Sequence, residues 1–582
     1  MLFKSTDGGQ SWTAISPDLT RNDKSRQGSS GGPITKDNTS VEYYSTIFSV
    51  AESPLAAGTI WAGTDDGLVQ VTRDGGKTWT NVTPKGLPEW AQINQIEASP
   101  YDKAGAYLAA TRYKSDDFKP YLYKTADYGA TWTRITDGID PQHFTRVVRA
   151  DPGRRGLLFA GTEFGLYASW DDGGHWEPLQ LNLPLVPVTD LLIKDGDLVA
   201  ATQGRGFWVL DGVDLLRQLP TDLAAKPVRL FTPAPAHRLS AAGGFGRSTG
   251  NQGTNPASGA VIYYWLPDTP SGKVTLDILD HDGKVVRTFS GKPEPPAAKS
   301  DDKQAGDGKG EKEDKDKDAE PADPDDGGRR SRPDPKLTVT KGLNRFVWDL
   351  RYAKAKKLPG MILWSGDPAG PMAVPGDYQV RLTAGSETAT APLHLLPDPR
   401  SHATPADLAA QQSFLLAVRD KLDATHDAIR RIRETREQLE TLRKRLAPPE
   451  DKVDKADKAE KTETPAPQTA QTAAVRDAAK ALAGKLTAIE EALYQTKSHS
   501  NEDPLNFPVK LNDKLNAVAA SVALGDARPT DQAVQVKDQL TAAIDAERAK
   551  LDQIWAHDVP EFNEQARAGS VPALIVPASR LK

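Results

Sequence analysis

Four aspartates recur at the same place in a repeated octet, and carboxylates placed in this way could serve as general acids or bases. The octets are residues 5–12, 72–79, 125–132 and 169–176. Each has Ser or Thr first, Asp third, Gly fifth and Trp eighth. The aspartates are Asp7, Asp74, Asp127 and Asp171, and the tryptophans are Trp12, Trp79, Trp132 and Trp176. One turn repeated in every unit predicts a scaffold, because an active site is usually built once.

The residue types of the octet suit a tight turn that bonds to itself. An Asp carboxylate accepts backbone N–H bonds within its turn, a Ser or Thr hydroxyl adds a local bond, and Gly adopts positive φ without steric cost. The Trp offers a large apolar face to a neighbouring element. Short apolar runs before each of the last three octets complete a unit of four strands in about 40 to 50 residues, which is typical of a β-propeller blade.

The octet resembles the Asp-box, or bacterial neuraminidase repeat (BNR), S-x-D-x-G-x-T-W. Over almost the whole chain, the order of segments is similar to bacterial proteins described as sortilin-like or as glycosyl hydrolases. The resemblance implies propeller blades, then a β-sandwich and a helical tail, in a periplasmic or secreted protein. Residues 1–17 fit only the outer half of a blade, so we expect N-terminal blades of the relatives to be missing here.

In propellers of this kind, ligands usually bind on the rim away from the octets. The loops of that rim join the second to the third strand and one blade to the next. Their candidate ligand-binding residues are Asp65, Arg112, Tyr113, Arg205, Tyr43, Tyr44 and Trp90. Aromatic faces stack on a ligand and charged groups orient it, which would suit a glycan or a polypeptide.

A glycosidase would need two carboxyl groups about 5 to 10 Å apart. Asp66 and Glu163 are the candidate catalytic pair, although their blades are not adjacent in the chain. The function predicted first is therefore binding of a polypeptide or glycan by an exported propeller protein. The alternatives are a glycoside hydrolase that acts on a polysaccharide and a structural or assembly factor.

Several other chemistries are disfavoured by composition. The 582 residues contain no cysteine, which excludes disulfides and thiolate catalysis, and the nine histidines are scattered. We therefore expect no metal and no cofactor. A net charge of −6 disfavours nucleic acid as a partner, and no apolar run approaches the roughly 20 residues of a membrane span. The N-terminus has no signal-peptide pattern, so export is implied by the resemblance alone.

The predicted fold class is multidomain and mainly β, with about four blades of a partial propeller, an immunoglobulin-like β-sandwich and a C-terminal helical hairpin or bundle. The expected domains are blades at 1–219, a linker at 220–258, the sandwich at 259–400 with a disordered insert at 291–336, helices at 401–568 with a disordered linker at 447–471, and a tail at 569–582. Thr404, Pro405 and Asp407 mark a helix start. A heptad seam follows from Leu415 to Leu446, which leaves self-association through the tail open.

Overall fold

The described part of the chain forms two compact units, Met1–Ala225 and Lys226–Lys582. The computed structural model describes residues 1–29, 31, 44–220, 222–223, 227–239, 255–293, 335–447, 470–500 and 502–580. Tyr43 and most of the two stretches predicted to be disordered, 294–334 and 448–469, lie outside the described residues. Among the helices that are described, none has both the length and the apolar character that a bilayer crossing requires.

The first unit consists of a two-stranded half-blade and four antiparallel blades. The half-blade contains β1 (Phe3–Lys4) and β2 (Thr13–Ala14). Blade 1 contains β3 (Ile47–Glu52), β4 (Ile60–Thr64), β5 (Val69–Thr72) and β6 (Thr80–Asn81). Blade 2 contains β7 (Gln92–Ala98), β8 (Ala106–Arg112), β9 (Asp117–Thr125) and β10 (Thr133–Arg134). Blade 3 contains β11 (Thr145–Ala150), β12 (Leu158–Thr162), β13 (Gly165–Ser169) and β14 (Glu177–Pro178). Blade 4 contains β15 (Val188–Lys194), β16 (Asp197–Thr202) and β17 (Phe207–Leu210), followed by the short helix α1 (Asp214–Gln218).

Each blade pairs its strands in sequence order, which confirms the predicted partial propeller. Strands of the middle blades are buried on both faces; every residue of β12 and β13 is buried. This follows because blade 3 packs between two blades. Val148 and Leu158 face blade 2. Phe159 and Leu166 face blade 4. Neighbouring blades therefore share their apolar cores.

In blades 1, 2 and 3 the octet lies between the third and fourth strands, and in the half-blade it lies between β1 and β2. In each case the aspartate joins both ends of the turn. Asp74 accepts hydrogen bonds from Thr72 Oγ1 at 2.8 Å, from the Thr78 backbone N–H at 2.9 Å and from Thr78 Oγ1 at 2.6 Å. Asp7 and Asp127 repeat this pattern. The Thr78 hydroxyl and N–H, and then Thr72, lower the pKa of Asp74. These carboxylates are therefore ionised, and they already accept hydrogen bonds from donors within their own turns.

The octet tryptophans connect successive blades. Trp79 Nε1 donates to the Ile15 carbonyl at 2.9 Å, Trp132 to Val82 at 2.7 Å, and Trp176 to Ile135 at 2.8 Å. Each acceptor lies three residues after the tryptophan of the preceding octet. In the first octet, Trp12 bonds to the carbonyl of its own Gly9 at 3.1 Å, and 63% of its surface is exposed. The contact between blades thus has one repeated geometry.

The fifth residue of the octet must be glycine for two reasons. Gly76 has φ +100°, and a Cβ built on it would lie 2.3 Å from the Ile15 carbonyl oxygen. Gly129 has φ +84°, and its Cβ would lie 2.7 Å from Val82 Cβ. Positive φ strains residues that carry a side chain, and here the adjoining blade also fills the space. The invariant Gly of the octet is therefore part of the contact between blades.

The second unit begins with a β-sandwich, as predicted. One sheet has the order β18 (Arg229–Leu230), β20 (Ala260–Leu266) and β23 (Gly342–Trp348). The other has the order β19 (Ala236–His237), β25 (Glu387–Leu396), β24 (Gly376–Ala384), β21 (Val274–Leu279) and β22 (Val285–Gly291). Alternate residues of β20 are buried, and the core between the sheets includes Ile262, Phe346 and Val380. The short β18 and β19 lie within the stretch predicted as a linker.

The helical part contains α2 (Pro405–Arg445), α3 (Ala470–Leu493), α4 (Leu511–Val522), α5 (Asp531–Gln553) and α6 (Val559–Ala568), with a π-helical turn at Ile554–Asp558. Thr404 caps α2 in a reciprocal capping box with Asp407. The heptad positions of α2 are buried in one core with the other helices. Arg436 stands at a heptad position of α2 in place of an apolar residue, and it pairs with the buried Glu490 of α3. The seam therefore packs inside this unit.

Candidate functional site

Strand direction places the candidate loops at the end of each blade opposite to the octet. In blade 1 the chain runs up β4, turns through 65–68, descends β5 and turns through the octet before β6. The loop from β4 to β5 and the loop from blade 1 to blade 2 therefore share one rim, which we call the loop rim. Gly67 lies where these two loops meet, because a Cβ there would be 3.1 Å from the Ala91 carbonyl oxygen. This contact joins the two loops.

Four of the predicted ligand-binding residues line one cleft on the loop rim. The cleft measures about 220 Å³ when the space open to solvent is included. Its walls are Tyr44, Trp90, Gln92, Thr111, Arg112, Tyr113, Lys114 and Ser115. Residues from three connections thus converge although up to 71 positions separate them in the chain, from 44 to 115.

Trp90 is the centre of this cleft. Its ring lies 5.2 Å from the Tyr44 ring, and the guanidinium carbons of Arg21 and Arg26 lie 5.1 and 4.9 Å from its centroid. Trp90 also has φ +61°, in the left-handed region. A large residue held in that region is strained unless its surroundings fix it. The cation–π contacts supply such surroundings.

Arg112 and Tyr113 form the opposite wall. Arg112 Nε donates to the Glu89 carbonyl at 3.0 Å, which holds the guanidinium against the Trp90 loop. Tyr113 stacks on Phe144 of the next blade with centroids 5.0 Å apart and rings 14° from parallel. The Tyr113 ring is therefore fixed in place, as a binding wall requires.

The loop from β4 to β5 carries two acidic residues, and the first of them bonds to the segment that follows Tyr44. Asp65 accepts N–H bonds from Ser45 at 3.0 Å and Thr46 at 2.8 Å. Burial raises its pKa, which the two N–H groups partly offset. Asp66 is fully buried and accepts bonds from Thr64 Oγ1 at 2.5 Å and the Arg21 N–H at 2.8 Å. Both carboxylates hold the loop, and Asp66 has no surface open to a substrate.

Glu163 lies on blade 3 and forms an ion pair with Arg146. Arg146 Nε and Nη2 each lie 2.6 Å from the same Glu163 oxygen, and both side chains are about three-quarters covered. Blade 2 separates blade 1, which carries Asp66, from blade 3, which carries Glu163, and neither residue lines the cleft. Arg205 is exposed on blade 4, away from the cleft. The catalytic assignment of Asp66 and Glu163 stays a prediction.

Sequence reasoning missed the arginines and phenylalanines that support this rim. Arg21 and Arg26 precede blade 1, where no repeat motif marks them. Arg146 lies within 5.4 Å of both the Tyr113 and Phe144 ring centroids. Two more phenylalanines of the loop rim, Phe118 and Phe164, are 41% and 45% exposed. Phe144 and Arg146, two positions apart where blade 3 begins, were the available signal for that pair, whereas Arg21 and Arg26 have no aromatic neighbour in the sequence.

Comparisons with known proteins match parts of the chain. No family model matches the chain. Over 107 residues it is 26% identical to the oligoxyloglucan-reducing end-specific xyloglucanase of Emericella nidulans, which is 18% of this chain and 13% of that protein. The chain thus spans a small part of that relative's length.

Solved structures that it resembles include propeller-type proteins. The GH74 xyloglucanase from Xanthomonas campestris shares 14% identity, over 44% of this chain and 32% of that one, at a TM-score of 0.23. YCF48 from Cyanidioschyzon merolae is 18% identical over 28% of this chain and 53% of that one, with a TM-score of 0.22. PorZ of Porphyromonas gingivalis is 9% identical over 60% of this chain and 45% of that one, with a TM-score of 0.25.

Proposed function

We propose that this chain is an exported propeller protein, periplasmic or secreted, that binds a polypeptide or glycan on its loop rim. The observation that carries the proposal is the cleft in which Tyr44, Trp90, Arg112 and Tyr113 converge. Aromatic walls with a few fixed polar groups are the usual composition of a binding site. The strained backbone of Trp90 is a further mark of a functional position.

The octet rim does not offer the same chemistry. Each octet aspartate is occupied by donors of its own turn, and the tryptophan that follows contacts an adjoining blade in three of the four octets. On the loop rim, by contrast, Lys114 and Phe118 are exposed and Arg112 is half-buried. A ligand could therefore reach side chains there without breaking the scaffold.

A glycoside hydrolase is the second candidate, and the matched segment of the Emericella nidulans xyloglucanase is the observation behind it. The geometry favours binding over hydrolysis. Asp66 is buried and occupied, and Glu163 is held by Arg146. An active pair would need both carboxyl groups to face one glycosidic bond.

The test compares the full-length protein with Tyr44→Ala and Trp90→Ala variants. Each is exposed to a glycan array that includes xyloglucan oligosaccharides and to a phage-displayed library of random peptides. We expect selective binding that falls about tenfold or more in both variants. Phe207→Ala on blade 4 is the control, because Phe207 is 80% exposed and outside the cleft. Equal loss in all three variants, or no ligand in either collection, would contradict a binding role for the cleft.

Hydrolysis is measured in the same samples as the release of new reducing ends. Turnover of a glycan that Glu163→Gln abolishes would replace the binding proposal with the glycosidase. A single stoichiometric protein recovered from the native source, with binding that Trp90→Ala does not weaken, would favour the assembly-factor alternative.

A further inference from the structure

A second cleft lies in the unit Lys226–Lys582, between the sandwich and the helices. It measures about 700 Å³ when the space open to solvent is included. Its apolar lining comes from three elements. Leu415, Val418 and Leu422 belong to α2, Ala519 and Ala520 to α4, and Met372 to the segment between β23 and β24. The lining is thus mainly aliphatic.

Arg238 lines this cleft and is buried. It follows β19, and its backbone N–H donates to the Leu396 carbonyl at 2.8 Å, which fixes the residue to the sheet edge. The side chain is 4% exposed, pairs with Asp526 and donates from Nη2 to Gln411 Oε1 at 3.0 Å. Its Nε has no hydrogen-bond partner within the described parts of the chain. A buried donor without an acceptor is costly, and a ligand could satisfy it.

The charges that line the cleft favour an anion. Arg238, Arg351 and Arg419 line it, against the carboxylates Asp367 and Asp526. Asp367 pairs with Lys357 at 2.5 Å, and Asp526 pairs with Arg238. Both acidic groups are therefore paired with cations, and Arg419 is paired in turn with Asp420 at 2.6 Å. The lining itself contains three arginines and two carboxylates.

We propose that this cleft binds a small organic carboxylate with an apolar body. The carboxylate accepts from Arg238 Nε, and the apolar body lies against Leu415, Val418 and Leu422. A carboxylate is preferred to a neutral ligand because charge-assisted hydrogen bonds to guanidinium are stronger than neutral ones. This site is independent of the loop rim.

The probe pair is phenylacetate and the isosteric neutral phenylacetamide, titrated into the full-length protein by calorimetry. We expect phenylacetate to bind at least about tenfold more tightly, since one charge-assisted hydrogen bond separates the two. Ala520→Trp fills the cleft from the exposed face of α4 and should abolish binding. Ala517→Trp, on an exposed face of the same helix outside the lining, should leave it unchanged.

Arg238→Met tests the polar contact. It should remove the preference for the carboxylate over the amide, whereas circular dichroism reports whether the helices remain folded. Failure of phenylacetate to bind at millimolar concentration, equal affinity for the two probes, or equal weakening by both tryptophan variants would overturn the proposal. None of these results bears on the loop rim, because the glycan and peptide assays use different variants.

Discussion

Replacing Gly76 by alanine tests whether the octet glycine is required by its neighbour or only by its backbone conformation. The added Cβ would lie 2.3 Å from the Ile15 carbonyl oxygen and 2.9 Å from Ile15 Cβ. The adjacent Gly75 is a matched control in the same turn. It has φ +76°, and nothing lies within 4 Å of a Cβ built there.

The two substitutions separate strain from collision. Positive φ costs a residue with a side chain about 1 to 2 kcal/mol, and both variants incur that cost. Overpacking adds about 1 to 3 kcal/mol, and only Gly76→Ala incurs it. The third octet has Tyr128 at φ +58° where Gly75 stands in the second, so a side chain is tolerated there. We therefore expect Gly76→Ala to lower the free energy of unfolding by about 1 to 3 kcal/mol more than Gly75→Ala does.

Hydrogen exchange followed by mass spectrometry measures this difference in the full chain. Peptides from residues 1–17 and 70–82 report the local opening free energy on the two sides of the contact. In Gly76→Ala the larger loss of opening free energy should appear in the peptides of both regions, because the collision pushes the half-blade away from blade 1. Equal loss of protection in the two variants would refute the claim that the neighbouring blade makes this glycine necessary.

Two further perturbations test the polar contacts described above. Trp132→Phe keeps an aromatic ring but leaves the Val82 carbonyl without its donor, so thermal unfolding should show a free energy of unfolding lower by about 1 kcal/mol. Trp12→Phe should lower it by less, because Trp12 bonds only within its own turn. His426 is buried with its Nε2 accepting from the Asn512 amide at 3.2 Å, and burial lowers its pKa. Its contribution to stability is therefore present above the unfolded pKa of about 6.5 and is lost as the pH falls. Urea titrations at a series of pH values below about 6.5 should show the free energy of unfolding fall by up to about 1.4 kcal/mol per pH unit. The His426→Gln variant should lack this pH dependence. If the variant keeps it, another group titrates.

The blades were predictable because their signals are local. Each octet carries its donor, its acceptor and its glycine within eight residues, so the four turns can be recognised without any distant contact. Sandwich strands such as β20 alternate fully buried and partly buried residues. The start of α2 is marked by Thr404 and Asp407. Two-residue strands such as β18 and β19 leave no alternation and were placed in a linker for that reason.

The candidate site was predictable only where strand direction dictated it. Tyr44, Trp90, Arg112 and Tyr113 share a cleft because the loops that hold them leave the same ends of neighbouring blades. The positions of Arg21 and Arg26 over Trp90 depend on the path of an irregular segment, which no sequence period describes. Likewise, a carboxylate in a loop says nothing about its burial, and Asp66 is enclosed while its neighbour Asp65 is half-buried.

The tryptophan contact also bears on how such a chain can change in length. The second and third octets each donate one hydrogen bond backward through their tryptophan and offer one carbonyl forward, from residues at fixed places relative to the octet. Contacts of this kind involve nearest neighbours alone, as in other repeat proteins. Duplication or deletion of one whole unit would therefore bring or remove a matched donor and acceptor together, and evolution could alter the number of repeats without redesigning any junction.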